Sequence, residues 1–221
     1  GSFTAENKIL PGAYLNFKTN APLSITPGER GIVVLLQEMS VGEVGDTYTI
    51  TATDSSQYPV AATQADKLLV NEALKGAKTV IVYNLGTEHD ADVITGALAE
   101  LKTVVFNTLA YPYSGTTYDA NKLTIATWIE AMREDEGIKV QGVLANYVAE
   151  SEAIINVTHG IKLDNETSLT AAQVTAWVAG VTAGATISQS NTGKKYVGAI
   201  DVVPRMTKTE METAITGGKF I

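Results

Sequence analysis

From Gly31 onward, short apolar runs alternate with amphipathic stretches. Ile32-Val33-Val34-Leu35-Leu36 is a continuous apolar run of strand length. It fits a strand buried on both faces, and a short buried helix fits it too. Tyr48 to Thr51 is a weaker second strand, and Ala65 to Lys75 is a helix closed by Gly76. Thr79 to Tyr83 predicts a strong strand, Asp92 to Leu101 a helix with acids at its start, and Thr103 to Phe106 a further strand. Ile125, Trp128, Ile129 and Met132 recur at i, i+3, i+4, i+7, which marks one apolar helix face ended by Gly137. Lys139 to Ala145 and Ala153 to Val157 read as strands. Thr170 to Gly184 repeats the helical period through Val174, Trp177, Val178 and Val181. Its small residues Ala176, Gly180 and Gly184 fall four apart and permit a close backbone approach. Thr207 and Glu210 form a capping box for a last helix, with Met206 and Met211 placed for a hydrophobic staple. Strands alternating with helices predict an α/β fold with a mixed, largely parallel sheet flanked by helices.

The first residues break this rhythm. Pro11, Gly12, Pro22, Pro27 and Gly28 block regular helix, while Tyr14, Leu15 and Phe17 supply apolar anchors. The expected organisation is an extended N-terminal arm over residues 1–29 and an α/β core over 30–221; a disordered tail is the alternative for the first segment. The far end, Lys219-Phe220-Ile221, is apolar and strand-like directly after a helix stop at Gly217-Gly218. That ending implies a chain cut inside an element, or an end that pairs with something.

Charge and composition narrow the function. The net charge is −8, and the 16 basic residues are scattered, so nucleic acid is not an expected partner. No apolar run approaches the ~20 residues that span a bilayer, so no membrane partner is expected either. The absence of cysteine excludes a disulfide framework, a thiolate metal site and a cysteine nucleophile.

Candidate chemistry is thin. Ser188 to Lys195 holds Gly193-Lys194, but Ser188 stands where a phosphate loop needs glycine, and no strand leads into it. No G-x-G-x-x-G follows a strand. Glu88-His89-Asp90 with Asp92 is the one local metal candidate, and a helix N-terminus explains those acids equally well. His159 sits in a turn. Glu134-Asp135-Glu136 is a solvated helix end, and Trp128 and Trp177 lie on apolar helix faces, where core packing is the default. The residues therefore point to no catalytic set, no metal and no cofactor. The runner-up reading is a small-ligand-binding α/β module with its acidic loop, Glu88 to Asp92, at the C-terminal ends of strands. A hydrolase with paired carboxylates is a third.

Several segments resemble the tail sheath proteins of contractile phages and of defective prophages of Gram-positive bacteria. The opening Phe3 to Phe17 is similar almost position by position, through Asn7-Lys8, Pro11-Gly12, Tyr14 and Asn16-Phe17. Arg30-Gly31, Met132 to Gln141, Ala149 to Val157, Val178-Ala179-Gly180, Ser190 to Gly198 and Met206 to Phe220 also resemble the family. Two departures stand out: Asn84-Leu85-Gly86 runs straight toward the next helix where such proteins often carry an inserted β-rich domain, and the family continues past Phe220.

The resemblance implies a structural subunit, not an enzyme, that polymerises around a tail tube and contracts to drive it through a cell envelope. It implies an arm carrying Asn7, Lys8, Pro11, Gly12, Tyr14, Asn16 and Phe17 that adds strands to neighbouring sheath subunits. The implied partners are other sheath subunits, the tail tube through a C-terminal domain missing here, and a baseplate. The implied location is the virion tail, assembled in the host bacterial cytoplasm.

Overall fold

A computed structural model describes residues 30–54, 56–186, 188 and 190–217. The expected arm, residues 1–29, and the ending at Ile221 lie outside the described residues.

The chain runs β1 (Ile32–Gln37), β2 (Thr47–Ile50), α1 (Gln64–Leu74), β3 (Thr79–Asn84), α2 (Ala91–Leu101), β4 (Thr108–Tyr111) and a 3-10 turn (Thr116–Tyr118). It continues through α3 (Asp119–Glu134), β5 (Gln141–Ala145), β6 (Ile154–Val157), β7 (Gly160–Leu163), β8 (Ser168–Leu169), α4 (Ala171–Ala183), β9 (Ala199–Val203) and α5 (Lys208–Thr216). Six strands form one sheet in the order β2-β3-β1-β4-β5-β6, parallel throughout except for antiparallel β2. A second sheet, β8-β7-β9, is antiparallel.

The continuous apolar run in β1 follows from its central place. Val33 and Leu35 face one core with α1 and α4; Val34 and Leu36 face the other with α2 and α3. The larger sheet is thus the middle of three layers. On the α2/α3 side, Ile125, Ile129 and Met132 are buried as the helical period requires, with Trp128 half-buried beside them.

On the other side lies α4, which has ten of its thirteen residues buried. A helix apolar on all sides must be covered on all sides. Here the larger sheet, α1 and the smaller sheet do so. The small residues work as expected. A Cβ on Gly180 would sit 2.1 Å from the Ala73 carbonyl oxygen, and one on Gly184 would sit 1.9 Å from that of Gly76. The backbones of α4 and the α1 terminus are therefore in direct contact, which only glycine permits.

The larger pattern follows the sequence, with one correction. Thr103 to Phe106 is not a strand. The amides of Thr103 and Val104 bond back to Glu100 and Leu101 at the end of α2, Phe106 tucks against Trp128, and Val105 is exposed. The strand begins at Thr108, after Asn107 has bridged to β1: its side-chain oxygen accepts from the Gly31 and Ile32 amides. The smaller sheet was not anticipated, because strands of two to five residues carry too few positions to show a period. The Thr207–Glu210 capping box is present.

Candidate assembly surface

In an open parallel sheet, ligands bind at the strand C-termini where successive connections leave in opposite directions. Here that point lies at the ends of β1 and β4, since β3 flanks β1 on one side and β4 on the other. Its residues come from three connections: Glu38 after β1, His89 after β3, and Tyr111 and Tyr113 at the end of β4.

These side chains fill the crevice themselves. The His89 side chain is wholly buried; its Nδ1 lies 2.7 Å from Glu38 Oε1 and its Nε2 lies 2.6 Å from the Tyr111 hydroxyl. A Glu38 carboxylate only accepts, so Nδ1 carries a proton, and in the neutral ring Nε2 then accepts from Tyr111. Asn121 Nδ2 donates to the Tyr111 oxygen at 3.2 Å, and the Glu38 amide donates to the Tyr113 hydroxyl at 2.6 Å. The Tyr118 ring stacks on His89 with centroids 5.6 Å apart, and the Tyr113 ring lies 4.7 Å away. Burial pushes the Tyr111 and Tyr113 hydroxyls well above the ordinary phenol range; the hydrogen bonds from Asn121 and the Glu38 amide oppose it, and the nearby Glu38 charge adds to it. The ligand-binding reading expects an acidic loop here, and two of its residues are engaged within the fold. His89 points inward, while Asp90 is the N-cap of α2, accepting from the Asp92 and Val93 amides. Among the described residues no group of three His, Asp or Glu side chains is placed to hold a metal ion.

The other sequence candidates are equally dispersed. Thr192 and Ser190 hydrogen-bond to each other in a surface turn between α4 and β9, so Lys194 sits at no helix N-terminus. Glu134, Asp135 and Glu136 are exposed at the end of α3, where Arg133 reaches Glu152 at 2.6 Å. Trp177 is buried against Tyr196, with centroids 4.9 Å apart.

What remains open is an edge. β9 is the last strand of its sheet, and Ile200, Val202 and Val203 are exposed on it, with Val197 just before. Beside it, between α4, β7 and β9, lies a cleft of about 400 Å³ walled by Ile161, Val174, Trp177 and Tyr196, with Lys194 and Asp201 at its rim. Sequence reasoning missed this surface; its only trace was the apolar content of Val197 to Val203. The anticipated arm residues Asn7, Lys8, Pro11, Gly12, Tyr14, Asn16 and Phe17 lie outside the described residues.

Comparison with known proteins bears on what such a body does. Residues 87–221 match the central domain of the phage tail sheath protein, and residues 30–85 match the N-terminal region of domain III of the tail sheath protein Gp18. The phage-like element PBSX protein XkdK of Bacillus subtilis is 38% identical over 79% of this chain and 37% of its own length. A tail sheath protein of Clostridium phage phiCD119 is 31% identical over 73% of this chain and 42% of its own. The crystal structure of a sheath tail protein from Desulfitobacterium hafniense superposes with a TM-score of 0.78 and 30% identity, over 95% of this chain and 71% of that one. The chain thus spans well under half of the two curated relatives.

Proposed function

Since the chain belongs to the phage tail sheath family, we propose that it is a structural subunit of a contractile tail sheath. In this reading it polymerises around a tail tube and contracts to drive the tube through a cell envelope. The observation that carries it is the family match, which runs through residues 30–85 and 87–221, nearly all of the described chain.

The geometry supports a role through assembly. The crevice that α/β proteins use for ligands is closed by His89, Tyr111, Tyr113 and Tyr118, while an apolar strand edge stands open. A body of this kind acts by adding to its neighbours' sheets and by moving as a unit. Energy for contraction is then stored in subunit contacts, and no nucleotide or catalytic step is required.

The finer parts of the reading are these. Residues 1–29 act as an arm, with Asn7, Lys8, Pro11, Gly12, Tyr14, Asn16 and Phe17 reaching a neighbouring subunit, and residues 30–221 form the core. The tube is gripped by C-terminal residues of the kind the longer relatives carry, and the last ring meets a baseplate. Assembly takes place in the host bacterial cytoplasm and the product resides in the virion tail.

Negative-stain electron microscopy tests this directly. The chain is imaged alone and joined to the C-terminal residues of XkdK. Rings or tubes in the joined form are the expected outcome. Dispersed particles in that form, under conditions where intact XkdK makes tubes, would count against the proposal.

A further inference from the structure

We propose that Tyr111, His89 and Glu38 form a one-electron redox site, where a radical oxidant withdraws an electron from Tyr111 while the phenolic proton crosses to His89 Nε2. The site is internal to the core and does not depend on what the chain assembles with.

The geometry supplies each part of that step. The Tyr111 hydroxyl lies 2.6 Å from Nε2, so the proton has only to cross an existing hydrogen bond. Nδ1 lies 2.7 Å from Glu38 Oε1, and that carboxylate stabilises the imidazolium as it forms. A buried cation without a partner is costly, and Glu38 removes that cost. Burial holds the Tyr111 hydroxyl protonated well above the ordinary phenol range, so the proton does not leave ahead of the electron. Asn121 Nδ2, at 3.2 Å, still donates to the oxygen once the proton has gone. One electron passes from the phenol to the oxidant, a species such as the carbonate or sulfate radical. The O–H bond of Tyr111 breaks, an N–H bond forms at Nε2, and Tyr111 is left as a neutral phenoxyl radical. Imidazolium and carboxylate then form a pair, so the oxidised site carries no net charge. A one-electron donor such as ascorbate reverses the step, and Nε2 returns the proton.

The surroundings suit a radical that lasts. Tyr111 is wholly buried, so its ring cannot couple with a second tyrosyl radical on another molecule. The half-buried rings of Tyr113 and Tyr118 stand between it and solvent. Their centroids lie 4.7 and 6.3 Å from that of Tyr111 and 5.1 Å from each other, which gives the electron a short path outward. Other tyrosines have poorer proton acceptors. Tyr48 donates to the Asp46 carboxylate and Tyr58 to the Asn71 side-chain oxygen. A carboxylate is ordinarily about two pH units less basic than an imidazole, and an amide oxygen takes up no proton near neutral pH.

The full chain is flashed with ruthenium tris-bipyridyl and persulfate at about pH 8, where an ordinary imidazole is neutral. The phenoxyl signal is followed by freeze-quench electron paramagnetic resonance. The expected decay has a long-lived component that is absent from Tyr111→Phe and retained in Tyr58→Phe. His89→Phe keeps the ring contacts but removes the base, and should shorten that component roughly tenfold, the rate equivalent of one charge-assisted hydrogen bond. Glu38→Gln still accepts from Nδ1 but lacks the charge, and should shorten it by less. An unchanged lifetime in any of these three site variants, with native near-ultraviolet circular dichroism, would overturn the proposal. The parent chain gives a second readout that needs no variant to fold. Grown with isotope-labelled histidine, it should show nitrogen hyperfine coupling on the long-lived phenoxyl signal, and no coupling would overturn the proposal. The chain has two histidines, so coupling that survives in His89→Phe would assign the base to His159 and overturn it as well.

Discussion

Adding one methyl group at Gly180 should separate two helices. The new Cβ would lie 2.1 Å from the Ala73 carbonyl oxygen, 2.9 Å from its carbon and 3.1 Å from the Ala73 Cα. Ordinary Cβ contacts begin at 3.4 Å, so α4 must retreat from α1 until 2.1 Å becomes at least that. No rotamer change relieves the clash, because the atoms opposed to it are backbone. Overpacking of this kind costs about 1–3 kcal/mol, and a rigid seam belongs at the upper end. Alanine returns about 1 kcal/mol through its higher helix propensity. The net loss for Gly180→Ala is therefore about 2 kcal/mol, or roughly 4–8 °C in melting temperature for a domain of this size. Gly96 is the internal control. It lies in α2, is exposed, and has nothing within 4 Å of its would-be Cβ. Gly96→Ala keeps the propensity gain without a clash and should raise the melting temperature by about 2–4 °C. Circular dichroism melts of the two variants beside the parent chain give the comparison. A rise in both would mean that the α1–α4 contact is looser than the geometry shows, and the reasoning would fail.

Three further outcomes follow from other sites. Asp66 is buried, which raises its carboxyl pKa, but hydrogen bonds from Ser40 and Thr63 outweigh this and hold it below the ordinary carboxylate range. The stabilisation is present above the unfolded value and is lost as pH falls through the folded one. Asp66→Asn should therefore lower stability by about 2–3 kcal/mol at neutral pH and flatten its acid decline; parallel urea midpoints at pH 3 to 7 check both. Replacing His89 by Ala opens a cavity under three tyrosines and frees Tyr111, for a loss of about 3 kcal/mol, whereas His89→Phe keeps the stacking and should lose about half as much. Equal urea midpoints for the two would show that the ring contacts contribute little. Lys122 is buried, and its ammonium lies 3.1 Å from the half-exposed Asp119. Lys122→Met should fall within about 1 kcal/mol of the parent, while Asp119→Ala, which orphans the buried charge, should lose about 2 kcal/mol; denaturant titration ranks them.

The helices and the central strands were legible because their burial is large and periodic. Ile125, Ile129 and Met132 declare a helix face, and the run from Ile32 to Leu36 declares a strand covered on both sides. Gly180 and Gly184 even announced a close approach, though the sequence named neither Ala73 nor Gly76 as the opposing atoms. Thr103 to Phe106 misled because its β-branched residues satisfy local propensity, while the hydrogen bonds of Thr103 and Val104 are claimed by the end of α2. The strand proper, Thr108–Tyr111, is chosen by pairing with β1 and β5, a non-local fact. His89 shows the same limit. Its acidic neighbours suggested a ligand loop, and only the fold places Glu38 and Tyr111, distant in sequence, on its two nitrogens. The smaller sheet and the β9 edge left almost no signal, because an exposed strand of five residues looks like an apolar loop.

The seam of Gly76, Gly180 and Gly184 also has a mechanical side. Most helix pairs meet through side chains, whose torsions give way under load and let the axes slide. Here carbonyl oxygens bear directly on the α-carbons of the opposing segment, with no compliant layer between them. A pull applied at β9 passes through β7 to α4, and from α4 to α1 and the larger sheet, along a path that includes this direct backbone joint. Strain will then appear first where the packing is softest, at the outer strands and connections, while the α1–α4 joint travels as a single rigid strut.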